Sequence, residues 1–190
     1  MRENPQEYRA RTVVLVEGHS DQLALEALAR RRGRELATEH VVVVPMGGSK
    51  NIATFLERFR PEGVRLAGMC DAGEERDFQR GLERAGLGSD LTRDGMEELG
   101  FYVCVADLED ELIRALGVEA VERVIEELGE MEQLRTFRKQ PQWRDRPGDE
   151  QLRRFFGTNA GRKARSAPRL VDALDIDRVP RPLDALLAYV

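Results

Sequence analysis

Four short apolar runs rich in β-branched residues set the strongest limit on the fold: TVVLVEG (12–18), HVVVVPMGG (40–48), GVRLAGMCD (63–71) and FYVCVAD (101–107). They are apolar at both alternating sets of positions, as strands of a parallel sheet covered on both faces must be. Between them lie segments of helical periodicity, SDQLALEALARRRG (20–33), SKNIATFLERF (49–59) and EERDFQRGLERAG (74–86), with LEDELIRALG (108–117) after the fourth run. This alternation predicts an α/β fold, a four-stranded parallel sheet with helices on both faces. Right-handed crossovers then bring the C-terminal ends of all four strands to one edge, where open α/β sheets bind ligands.

Beyond Gly117 the strand pattern stops. VEAVERVIEELGEMEQLRTF (118–137) reads as helical, KQPQWRDRPGDE (139–150) as a turn-rich connector, and EQLRRFFG (150–157), GRKARSAPRLVDAL (161–174) and RPLDALLAYV (181–190) as three shorter helices. The expected organisation is an α/β domain over 1–117 and a helical extension with a basic segment over 118–190, packed on the same domain.

Charge divides the same way. Residues 1–134 hold 17 basic and 28 acidic side chains, whereas 135–181 hold 13 basic and 6 acidic. An acidic body with a basic tail suits cation binding in one part and phosphate contact in the other, although a solvated surface gives the same balance. No apolar run approaches the roughly 18 residues of a membrane span. The N-terminus MRENPQEYRA lacks the apolar stretch of a signal peptide, so the expected location is cytoplasmic. Cys70 and Cys104 each sit at a strand end and read as buried thiols rather than a disulfide.

Acidic residues collect at the predicted edge. The first strand delivers Glu17, with Asp21 one helical turn on. The second delivers GGSKN with Lys50. The third delivers Asp71, Glu74 and Glu75, and the fourth Asp107, Glu109, Asp110 and Glu111. Carboxylates held this close repel one another unless cations neutralise them, and hard oxygen donors suit magnesium or manganese. Simpler roles compete. Asp21, Glu74 and Glu75 are favourable in a first helical turn by the macrodipole alone. Asp107 reads as the N-cap of the next helix and Asp110 as its solvated face. Lys50 fits a phosphate contact or a solvated turn, His19 an exposed polar residue, and Trp143 a packing residue.

The order and placement of these pieces resemble the TOPRIM fold, shared by topoisomerases, bacterial primases and the overcoming-lysogenization-defect (OLD) nucleases. The likeness is to the OLD type. EGHSD (17–21) is similar to its glutamate motif, GGSKN (47–51) to a Gly-Gly-x-x-Asn-like loop, CDAGEE (70–75) to its aspartate motif, and LEDEL (108–112) to a later acidic helix start. The resemblance extends to the C-terminal region, where a lysine stands near the metals. It implies a divalent-metal-dependent endonuclease acting on DNA, with RNA a lesser alternative, using one or two Mg2+ or Mn2+ ions. Glu17, Asp21, Asp71, Glu74 and Glu109 would hold the metal. Glu17, Asp71 and Lys163 would be catalytic, and Lys50, Arg162 and Arg165 would contact nucleic-acid phosphates. Two departures stand out. The usual Asp-x-Asp is Asp71-Ala72-Gly73 here, so Glu74 or Glu75 would have to supply the second ligand. No G-x-x-x-x-G-K-[ST] phosphate loop is present, so the ATPase of full-length OLD proteins would be a separate subunit. The alternative is a non-catalytic TOPRIM module that binds nucleic acid or a partner ATPase. Topoisomerase chemistry needs a nucleophilic tyrosine, and Tyr8, Tyr102 and Tyr189 lie at a terminus or in a core strand. Oligomeric state is not legible.

Overall fold

The computed structural model describes residues 10–190; Tyr8 lies outside them. The four apolar runs become β1 (Thr12–Val16), β2 (Val41–Pro45), β3 (Arg65–Cys70) and β4 (Phe101–Val103), all parallel, in the order β2-β1-β3-β4. Thr12 stands between Val41 and Arg65, and Gly68 beside Phe101. β1 is central because it is buried along its whole length, with Val13, Val14, Leu15 and Val16 all fully inaccessible. Each such side chain contributes about 1.5–3 kcal/mol of transfer free energy. Gly68 is required by close approach: a Cβ there would stand 2.6 Å from the Leu15 carbonyl oxygen and 2.9 Å from the Phe101 ring.

The period of two along β1 assigns each face a core. Val13 and Leu15 pack with α2 (Ile52–Phe59) and α3 (Glu75–Arg84), through Ile52, Leu56, Phe78 and Leu82. Val14 and Val16 face α1 (His19–Arg31), α5 (Leu108–Leu116) and the C-terminal helices. Between α3 and β4 lies α4 (Arg93–Glu98), which the sequence pattern did not reveal; Thr92 caps it by accepting from the Gly95 N–H at 3.2 Å.

The stretch expected as helical over 118–137 is two helices, α6 (Val118–Glu127) and α7 (Met131–Arg138), broken at Gly129, whose φ is +71°. The remaining helices are α8 (Gly148–Phe156), α9 (Ala160–Ala173) and α10 (Arg181–Tyr189). α9 carries Pro168 in its interior, which leaves the Ala164 carbonyl without its helical donor. Leu170, Val171, Leu183 and Leu186 share one apolar cluster with Ala24, Leu25 and Leu28 of α1. The basic end of α1 fastens this packing. Arg31 donates to the Val171 carbonyl at 2.7 Å, and Arg34 to the carbonyls of Leu187 and Val190, so cations sit on the negative ends of α9 and α10. The two cysteines are free and buried on opposite faces, and burial pushes both thiols up. Trp143 stacks on Phe137 at 5.4 Å between centroids, a packing role. Among the described residues, no helix is long and apolar enough to cross a membrane.

Candidate metal centre

Chain order and sheet order diverge at β1. After β2 forms on one side of it, the chain returns to build β3 on the other, so the C-terminal tip of β1 is a switch point open to solvent. Glu17 occupies that tip. Its carbonyl accepts from the amides of Gly47 and Gly48 at 3.0 and 3.1 Å, which fixes the backbone beneath the carboxylate. Those amides reach it because both glycines take positive φ, +73° and +125°, a region that L side chains rarely enter.

A cleft of about 360 Å³ opens over this tip, lined by Glu17, Asp21, Asp71, Glu109 and Lys163. Four of the acidic residues expected at a common edge therefore meet, and Lys163, expected there from the resemblance, joins them; the five come from four separate stretches of chain. Asp21 lies in the first turn of α1 and accepts the Gly18 N–H at 2.8 Å. Asp71 ends β3 in extended backbone. Glu109 lies in the first turn of α5 and is buried at 4% exposure. Lys163 arrives on α9 and donates to Glu109 Oε2 at 2.7 Å.

Burial together with like charge governs the site. Burial raises Asp71 to about 8, reinforced by Asp21, Glu17 and Asp107. Burial also raises Asp21 to about 7; the Gly18 amide opposes this, while Glu109 and Glu17 add to it. Glu17 is raised by burial and then by Glu74, with Lys163 pulling the other way. Burial would lower the Lys163 ammonium, yet Glu109, Asp107 and Asp71 outweigh it and the net shift is upward. Glu17 Oε2 is buried without a hydrogen-bond partner, a costly condition for a carboxylate oxygen.

This donor set fits a hard divalent cation: several carboxylates, one orphaned oxygen, and proton affinities raised by burial and by neighbouring carboxylates. Among the described residues, no three Asp, Glu, His or Cys side chains are gathered closely enough to share one ion as they stand. Glu109 is already engaged by the Lys163 ion pair.

The other expected site residues divide. Glu74 is half-buried and near enough for its charge to raise Glu17, but it does not line the cleft. Glu75 is paired with Arg93. Gly73 is exposed, and nothing stands within 4 Å of where a Cβ would lie. Lys50 is exposed on the tight turn Ser49–Asn51 and is not brought to the cleft. Neither are Arg162 and Arg165, because both are drawn to Glu130. Arg162 also donates to the Phe155 carbonyl at 2.9 Å and lies 3.8 Å over the Phe155 ring, and Arg165 meets Glu130 at 2.6 Å. These contacts make Arg162 part of the packing between α8 and α9, which a run of basic residues in sequence does not disclose. Asp107 caps α5 by accepting the Asp110 N–H at 2.8 Å, and Asp110 pairs with Arg114. The cleft also includes His19, read from the sequence as an exposed polar residue, and Ser20, which the sequence did not single out; both follow Glu17 closely in the same turn.

Comparison with known proteins bears on the fold. Residues 10–72 match the family model described as overcoming lysogenization defect protein-like, TOPRIM domain. The fold is that of the C-terminal region of the Xanthomonas campestris pv. campestris OLD protein, with a TM-score of 0.74 and 21% identity over 97% of this chain and 94% of that one. The C-terminal region of the Burkholderia pseudomallei OLD protein is similar, with a TM-score of 0.71 and 21% identity over 95% of this chain and 96% of that one. No curated protein matches the chain by sequence.

Proposed function

We propose that this chain, with its OLD-like TOPRIM domain, is a divalent-metal-dependent nuclease that hydrolyses DNA phosphodiesters. The observation that carries the reading is the meeting of Glu17, Asp21, Asp71 and Glu109 with Lys163 in one cleft at the sheet's C-terminal edge. Glu17, Asp21 and Asp71 would hold Mg2+ or Mn2+, with Glu109 and Glu74 at the margin. Bound there, a cation would supply Lewis acidity to activate water and offset charge on the leaving oxygen.

The chain's own groups do the rest. The strand tips fix the Glu17 and Asp71 backbones, so drawing these carboxylates onto an ion would move side chains rather than backbone. Lys163, kept charged by its acidic neighbours, lines the same cleft and would neutralise charge gathering on the phosphate. Glu109 holds that ammonium in place at 2.7 Å. A partner ATPase, expected from the resemblance, belongs to the same proposal.

A non-catalytic module is the second reading, and Gly73 is the observation that favours it, because this position brings no carboxylate to the cleft. Nicking of supercoiled plasmid in Mg2+, Mn2+ or Ca2+ separates the two. The nuclease reading expects nicking with Mn2+ or Mg2+ and a loss of at least 100-fold in Glu17→Gln, on the scale of removing a preorganised charge. Full activity in that variant would exclude this metal site, and no activity in the natural chain would favour the module.

A further inference from the structure

Nucleic acid entering an acidic cleft needs a cation at the rim that is not already spent on the protein. Lys163 is engaged by Glu109, and Arg162 and Arg165 by Glu130. Arg153 of α8 differs. Its Nε–H donates to Asp107 Oδ2 at 2.7 Å, and its side chain is 47% exposed. The other oxygen of Asp107 accepts the Asp110 N–H, so this carboxylate has both oxygens in use at the head of α5, two residues before Glu109. Among the described residues, the outer edge of the Arg153 guanidinium, Nη1 and Nη2, has no partner.

We infer that Arg153 binds a backbone phosphate of the substrate beside the cleft, with Asp107 fixing the guanidinium plane and the outer edge forking onto two phosphate oxygens. The inference rests on the nuclease reading and deepens it by naming a contact that places the strand. A planar fork suits phosphate better than a lysine does, and an arginine already anchored at Nε loses less freedom on binding. Such a contact contributes affinity and register without reading sequence.

The test is DNA binding by the full chain in Ca2+, followed by fluorescence anisotropy of a labelled duplex over a series of KCl concentrations. Arg153→Gln is expected to weaken binding about tenfold at low salt and to reduce the slope of log Kd against log salt by about one. Arg153→Lys should keep the slope. Asp107→Asn keeps an N-cap oxygen but loses the acceptor for Nε, and should weaken binding less than Arg153→Gln does while keeping the natural slope. A natural slope in Arg153→Gln would overturn the inference. So would an equal loss in Asp107→Asn, because the bridge to α5 would then be the cause. A natural chain that binds no DNA would overturn the nuclease reading and this inference with it, whereas failure in Arg153→Gln alone leaves that reading standing.

Discussion

At the scale of single residues, the cleft trades stability for readiness. Asp71 has its proton affinity raised to about 8 by burial and by the carboxylates around it, against an unfolded value of about 3.9. Between those values the folded chain holds a proton that the unfolded chain has released. The stabilising effect is therefore complete below about pH 4 and is lost as pH rises toward 8. Asp21 acts in the same direction up to about 7. Asp71→Asn removes one of these ionisations. Thermal melting of the metal-free variant should show a gain of a few degrees at pH 8 and little change at pH 4.5. A loss at pH 8 would mean that Asp71 carries a stabilising contact instead. The same residues mark how much of the site is legible in sequence. Glu17 and Asp71 declare themselves because a carboxylate at the tip of a buried strand has few other uses. The engagement of Arg162 with Glu130 does not, because it joins residues distant in the chain and leaves no periodic trace.

At the scale of elements, strands are easier to read than their order. Two-sided apolar runs announce β1 to β4, but nothing in them places β2 at an edge and β1 at the centre; crossover packing decides that. Helix α4 escapes notice because six residues carry too little periodicity, and the break between α6 and α7 depends on one glycine. The C-terminal helices matter most for the site, since α9 brings Lys163 and α8 brings Arg153. All three C-terminal helices share an apolar cluster with α1, and α9 and α10 accept the arginines at its end. A truncated chain of residues 10–117 would expose the α1 and sheet surface that Leu170, Val171 and Leu186 cover. It should show no cooperative thermal transition and should bind a hydrophobic dye. A sharp two-state melt of that fragment would show that the α/β part folds alone.

At the scale of the whole molecule, the charge division apparent in the sequence acquires a geometry. The basic tail does not form a separate arm; it folds back so that Lys163 enters the acidic cleft. Arg162 and Arg165 meet Glu130, and Arg153 meets Asp107. The acidic body is thereby partly compensated, but Glu17, Asp21 and Asp71 are paired with no arginine or lysine among the described residues. The proposed function fills that place with a small, hard cation. Calorimetric titration of the metal-free chain with Mn2+ at pH 7 tests that claim directly, using buffers of different ionisation enthalpy. The account predicts saturable binding that releases protons from Asp71 and Asp21, and a weakening of at least tenfold in Asp71→Asn. No binding by the natural chain, or undiminished binding by Asp71→Asn, would contradict it.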